Sequence, residues 1–351
     1  MDGQGRTLTN SGSIINNEVI NTGLSTAGNR NRVAALMGNP TANNAAFTIS
    51  PAGGQTNINI PNATAAYVGQ TVIVGRYDSI EGDLFAGDVR TITAIVSGSQ
   101  LSPTQLLQKA SAKAMQLVDI PSHGFVIRTH QRLLANRAPI NVYIEGDGFA
   151  YINKSQASLD PTPRQPTGLI LALADNAPNV VYIARPCQYT LKESSTCQVA
   201  DWTDKRFSEE MITVINDALN RVKPANSSQK IVLTGYSGDA AVAVLIAARR
   251  NDIASLRTLA GNLNHNAVNQ FHRVSLMPQS LNAIDVANQI KQIPQVHFVG
   301  GQDKVIPTFI AQQFAQQVGT CANVIIVKEA THIAGWQKQW PQLVKIKPGC
   351  Q

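Results

Sequence analysis

The run Lys230-Ile-Val-Leu-Thr-Gly-Tyr-Ser-Gly-Asp-Ala-Ala-Val-Ala-Val-Leu-Ile-Ala-Ala-Arg249 joins three kinds of sequence without a gap. Ile231 to Thr234 is a short apolar run of strand type, Gly235 and Gly238 bracket a turn, and Ala240 to Ala248 is an alanine-rich helix former. A strand that turns sharply into a helix lifts the residue at the turn, Ser237, above the sheet edge. The N–H groups that open the helix face the same spot. This is the shape of a nucleophile elbow, which pairs an exposed hydroxyl with donors able to hold developing negative charge.

Similar apolar runs flank the elbow on both sides. The pattern predicts strands over Phe125 to Thr129, Ile140 to Glu145, Val180 to Ala184, Leu256 to Leu259, Val296 to Val299 and Val324 to Val327. Helices are predicted between most of them: Gly168 to Asp175, Ser208 to Val222, Ala240 to Arg250, Ile284 to Ile293, Thr308 to Val318 and Gly335 to Lys345. Continuous Val/Ile runs separated by helices imply a mostly parallel, doubly wound sheet covered on both faces, an α/β fold. A further helix is predicted over Pro103 to Met115, where the composition changes.

Before that point the first hundred residues contain no lysine, histidine or cysteine, and twelve of the first 62 are asparagine. Leu8 to Gly23 repeats short apolar pairs between Asn and Gly, as a β-solenoid, a hairpin stack or a disordered polar arm does. Ala66 to Val74 and Val89 to Val96 read as strands. The expected organisation is a β-rich, Asn-rich accessory module over residues 1–100 and an α/β domain over 101–351.

Composition excludes several classes. Charged residues are 15% and aromatics 5% of the chain, against both a coiled coil and an aromatic nucleic-acid platform. The net charge of +7 comes from scattered Lys and Arg and reads as a mildly basic surface, so no nucleic acid is expected as a partner. No apolar stretch reaches the roughly 18 residues a membrane span requires. The four cysteines fall as two local pairs, and the most local connectivity joins Cys187 to Cys197 and Cys321 to Cys350. Disulfides imply an extracytoplasmic location, periplasmic or secreted, although the beginning of this chain lacks the basic start and apolar core of a secretory signal. No metal-ligand spacing is present, and neither metal nor cofactor is expected.

An elbow serine is a weak nucleophile until a base takes its proton and an acid orients that base. Both are present in the chain order serine, acid, histidine. Asp303 follows the predicted strand Val296 to Val299, and His332 follows Val324 to Val327. Three strand ends thereby carry Ser237, Asp303 and His332 to one edge, where open α/β sheets place their sites.

With these residues in hand, positions 105 to 351 resemble an α/β-hydrolase, in particular a bacterial exported or lipoprotein-like group. The likeness is carried by Val142-Tyr-Ile-Glu-Gly-Asp-Gly148, Asp160-Pro-Thr-Pro163, Ala184-Arg-Pro-Cys-Gln-Tyr189, Gly235-Tyr-Ser-Gly238 and Leu259-Ala-Gly-Asn-Leu263. The resemblance implies a serine esterase without cofactor: Ser237 as nucleophile, His332 as base and then acid, and Asp303 as orienting carboxylate. An oxyanion hole would combine the Gly238 N–H with that of Asp147 or Gly148. Tyr236, Asp239 and His272 are candidates to line the site. Asp239 stands where the elbow usually has glycine, so its carboxylate must point aside or distort the turn. The substrate implied is a small-molecule, lipid or polymer ester. Two other readings remain open: a catalytically silent hydrolase fold that binds a ligand, and a protein attached to a surface or particle through residues 1–100.

Overall fold

The computed structural model describes strands at 31–37, 71–77, 84–85 and 89–91, and then residues 109–350 except 111, 154–155 and 224–226. The repeat over Leu8 to Gly23 and most of the helix expected over Pro103 to Met115 lie outside the described residues.

The chain divides into two compact units, Met1–Ser99 and Gln100–Gln351. In the first, β1 (Asn31–Met37) pairs antiparallel with β2 (Thr71–Tyr77), which also pairs with β3 (Leu84–Phe85) and β4 (Val89–Thr91). Of the strands expected over Ala66 to Val74 and Val89 to Val96, residues 71–74 and 89–91 are strand, and the rest lie outside the described residues.

The second unit is built on an eight-stranded sheet. Its strands are β5 (Gln116–Ser122), β6 (Phe125–Leu133), β7 (Ile140–Ile144), β10 (Asn179–Ile183), β11 (Ile231–Tyr236), β12 (Ile253–Leu259), β13 (Gln295–Gly300) and β14 (Ala322–Val327). A two-stranded hairpin, β8 (Tyr151–Asn153) with β9 (Gln156–Ala157), stands apart. The spatial order is β14-β13-β12-β11-β7-β10-β6-β5. The six strands from β14 to β10 run parallel, while β6 is antiparallel to both its neighbours. This is the α/β-hydrolase fold.

Alternate residues of the central strands serve the two faces. Val142 and Ile144 join one core cluster with Val181, Ile183 and the helices α2 (Glu209–Val222), α3 (Gly238–Ala247) and α5 (Thr308–Val318). Tyr143, Val180 and Tyr182 join the opposite cluster with α1 (Thr167–Ala174) and α6 (Trp336–Leu343). Every residue of α3 is buried, which its small alanines permit because they let the helix lie close against the sheet. After β7 the chain crosses to β10 over one face; after β10 it crosses back beyond β7 to β11 over the other. The crevice at the carboxyl ends of β7 and β11 is therefore the topological switch point, where open α/β sheets bind ligands.

The β8–β9 hairpin was not expected from the sequence, and two further elements depart from expectation. Gln116–Ser122 is an edge strand carrying Pro121, with its first three residues exposed, and edges tolerate proline because one side of the strand needs no ladder bond. His265–His272 is a helix, α4, opened by the Asn264 side chain accepting from the Ala267 N–H. Two disulfides join Cys187 to Cys197 and Cys321 to Cys350. No helix among the described residues is long and apolar enough to cross a membrane.

Candidate active site

Ser237 has φ 56° and ψ −120°, left-handed backbone that side chains rarely adopt. Its surroundings hold it there. The Ser237 N–H donates to the Leu259 carbonyl at 2.9 Å, and its own carbonyl accepts from Asn262 at 2.9 Å and Ala240 at 3.2 Å. Gly235 is required because a Cβ there would stand 2.2 Å from the Asp239 carbonyl oxygen.

Ser237 Oγ lies 2.9 Å from His332 Nε2, and His332 Nδ1 lies 2.9 Å from Asp303 Oδ2. Asp303 stands just beyond β13 and is 1% exposed at its side chain; His332 stands beyond β14 and is 15% exposed. The second Asp303 oxygen accepts from the Val305 and Ile306 amides at 2.7 and 2.9 Å, so both oxygens are held. A carboxylate at Nδ1 keeps the proton on that nitrogen and leaves the Nε2 lone pair facing the serine. The His332 carbonyl accepts from Tyr236 Oη and from Trp336 Nε1, each at 2.9 Å. Burial pushes the Tyr236 phenol above its ordinary pKa, which keeps it a donor. Its ring packs 5.7 Å from the imidazole. Tyr236 is therefore a buried support behind the histidine.

The loop Glu145 to Gly148 comes to the other side of the serine. A Cβ on Gly238 would stand 2.2 Å from Asp147 Oδ1, so the Asp147 carboxylate rests directly on the first residue of α3. Gly238, at that position, has no carbonyl one turn earlier to bond its N–H. Beneath the loop, Glu145 is 1% exposed and accepts from the Gly146 and Gly168 amides at 3.0 Å and from Leu169 at 3.3 Å. It thereby caps α1 while burial raises its pKa. Gly148 turns with φ +65°, and a Cβ there would meet the Pro161 carbonyl at 2.1 Å.

Asp239 is fully buried and points sideways, pairing with Arg185 Nη1 at 3.3 Å. It does not line the site, which corrects that expectation. The same Arg185 nitrogen lies 2.9 Å from Asp147 Oδ1, and Arg206 approaches Asp147 Oδ2 at 3.5 Å. Burial raises the Asp239 pKa strongly against the opposing pull of Arg185, and the nearby Asp147 and Glu145 push it the same way. His272 does not reach the serine either. Its Nε2 is 2.7 Å from the Val305 carbonyl, so it braces the Asp303 loop from outside. His297 is a core residue, its pKa lowered to about 3 by burial.

Sequence reasoning assigned no role to Arg185, Arg206 or Gln188. The one signal was their neighbourhood, since Arg185 and Gln188 flank Cys187 in the Ala184 to Tyr189 stretch. Among the described residues no group of three or more His, Cys, Asp or Glu could hold a metal ion.

The sequence matches no protein family model and no curated protein. Solved structures with a similar chain path include an alpha-beta serine hydrolase homologue from Coxiella burnetii (14% identity, 65% of this chain and 93% of that one, TM-score 0.43). Est1E from Butyrivibrio proteoclasticus (14%, 65% and 96%, 0.46) and the Pyrococcus furiosus esterase PF2001 (14%, 69% and 93%, 0.47) are two more. At these scores the fold assignment rests on this chain's own strand order.

Proposed function

We propose that the chain is a serine hydrolase that cleaves carboxylic esters through an acyl-enzyme on Ser237. The observation that carries this reading is the continuous line of contacts, 2.9 Å from Ser237 Oγ to His332 Nε2 and 2.9 Å from His332 Nδ1 to Asp303 Oδ2. His332 takes the serine proton as Oγ adds to the ester carbonyl, while the Gly238 N–H and one from the Glu145 to Gly148 loop receive the oxyanion. Collapse of that intermediate expels the alcohol, which takes the proton from His332. Water then attacks the acyl-enzyme with His332 as base, and a second collapse frees Ser237 and the carboxylic acid.

The test is covalent labelling with a fluorophosphonate, followed by a p-nitrophenyl ester chain-length series with Ser237→Ala as control. The label is expected on Ser237; its absence in folded protein would sink the reading. One observation favours a catalytically silent, ligand-binding alternative. Asp147 holds a carboxylate against Gly238, where an oxyanion would form. Its two arginine partners oppose that charge, which is why hydrolysis is preferred. A silent protein would bind its ligand equally well as Ser237→Ala.

The two disulfides support an extracytoplasmic site of action. Residues 1–100 are proposed to attach the protein to a surface or particle. Deleting them should abolish localisation and leave small-ester hydrolysis intact.

A further inference from the structure

Opposite the serine, the Glu145 to Gly148 loop is held by a single side-chain amide. Gln188, 1% exposed, donates from Nε2 to the Gly146 carbonyl at 2.9 Å and accepts at Oε1 from the Arg185 N–H at 3.1 Å. A Cβ on Gly148 would come within 2.7 Å of the same Nε2, so the loop is moulded around this group. The residues on either side of Gln188 are both left-handed without being glycine, Cys187 at φ 71° and Tyr189 at φ 64°. Such backbone persists only where its surroundings over-determine it. Here they do: Cys187 is tied to Cys197, and the Tyr189 N–H donates to Thr162 Oγ1 at 2.8 Å. The Arg185 side chain, 5% exposed, bonds Asp147 Oδ1 and also donates from Nη2 to the Arg206 carbonyl.

From this geometry we infer that Asp147 N–H is the second oxyanion donor and that Gln188 is a positioning residue which aims it. The peptide joining Gly146 to Asp147 is trans and planar, so its C=O and N–H point in opposite directions. By drawing the Gly146 oxygen to its own side, Gln188 turns the Asp147 N–H away from itself. Arg185 anchors the Asp147 side chain against Gly238, fixing the other end of the same residue. The disulfide holds Gln188 in register. This inference rests on the ester-hydrolase reading for its consequence but not for its geometry.

Gln188→Met keeps the length and removes the hydrogen bonds. Gln188→Glu keeps the acceptor for Arg185 and loses the donor to Gly146. In both, kcat for a p-nitrophenyl ester should fall about tenfold with KM within about twofold, because the donor matters only as charge develops. Lowering the pH protonates the introduced carboxyl and restores a donor. The activity of Gln188→Glu relative to wild type should therefore recover toward one, a response that a structural role would not produce. Hydrogen exchange of the Asp147 amide should accelerate in Gln188→Met while α3 is unchanged. Unaltered kcat, or unaltered Asp147 exchange, overturns the inference. A wild-type protein that takes no fluorophosphonate yet shows the exchange response would retain the clamp and lose the hydrolase reading. Should Gln188→Met not fold, the near-isosteric Gln188→Glu carries both measurements.

Discussion

On one side of Ser237, Asp303 and His332 are held largely by their own loops, with Tyr236 and His272 as more distant supports. Asp303 accepts from amides two and three residues ahead, and the His332 carbonyl accepts from Trp336 four residues ahead. On the other side, Gly146 is held by Gln188, 42 residues along the chain, and Asp147 by Arg185, 38 residues along. Most of the first arrangement is local to each strand end. The second exists only when β7 and β10 lie side by side and the segment after β10 is folded over them. A disulfide, Cys187 to Cys197, falls in the distant arrangement.

This contrast sets the order of expected effects. Ser237→Ala should reduce ester hydrolysis on the order of 10⁵-fold with an unchanged melting curve; residual turnover near wild type would remove the premise for both sides. Asp303→Asn comes next, since loss of the correct histidine tautomer lowers kcat by about 10⁴. Stopped-flow acylation rates measure it. On the distant side, removing one disulfide by Cys187→Ala with Cys197→Ala should lower kcat about tenfold, as for a partly misplaced oxyanion donor. Removing the other by Cys321→Ala with Cys350→Ala should leave kcat unchanged and lower unfolding free energy by about 2 to 4 kcal/mol, read from urea melts. Equal kinetic effects from the two pairs would erase the distinction between the two sides.

The smallest effect concerns Asp239. Burial raises its folded-state pKa, so the folded protein retains a proton that the unfolded chain has released. The stability it contributes is complete below the unfolded carboxylate value, about 3.9, and is lost as pH rises through the folded value. Asp239→Asn removes that dependence and leaves Arg185 paired with Asp147. Its melting temperature should rise relative to wild type between pH 4 and 7, with kcat within about threefold because the side chain touches no reacting atom.

How much of this was readable in the chain follows the same division. The elbow, Asp303 and His332 could be located because each follows an apolar run, and apolar runs announce strands wherever they occur. The α4 helix had a local signal in Asn264 but was too short and polar for periodicity to declare it. The edge strand Gln116–Ser122 was not recognisable, because Asp119 and Pro121 interrupt the apolar residues Leu117, Val118 and Ile120. Asp239 was seen as a departure from glycine, yet its direction depended on Arg185. Gln188 carried no signal of its own, since a lone glutamine beside a cysteine has the composition of any surface loop.

By itself, the sequence determined the α/β alternation, the order serine, acid, histidine, and the strand ends on which they stand, because these depend on hydrophobic periodicity and short turns. Only the tertiary structure decided how the opposite wall is built. Its parts are single polar side chains far apart in the chain. Their worth arises from burial against one another, when the amide of Gln188 and the guanidinium of Arg185 leave water and take as partners the loop beside Ser237, the Arg206 carbonyl and Asp239.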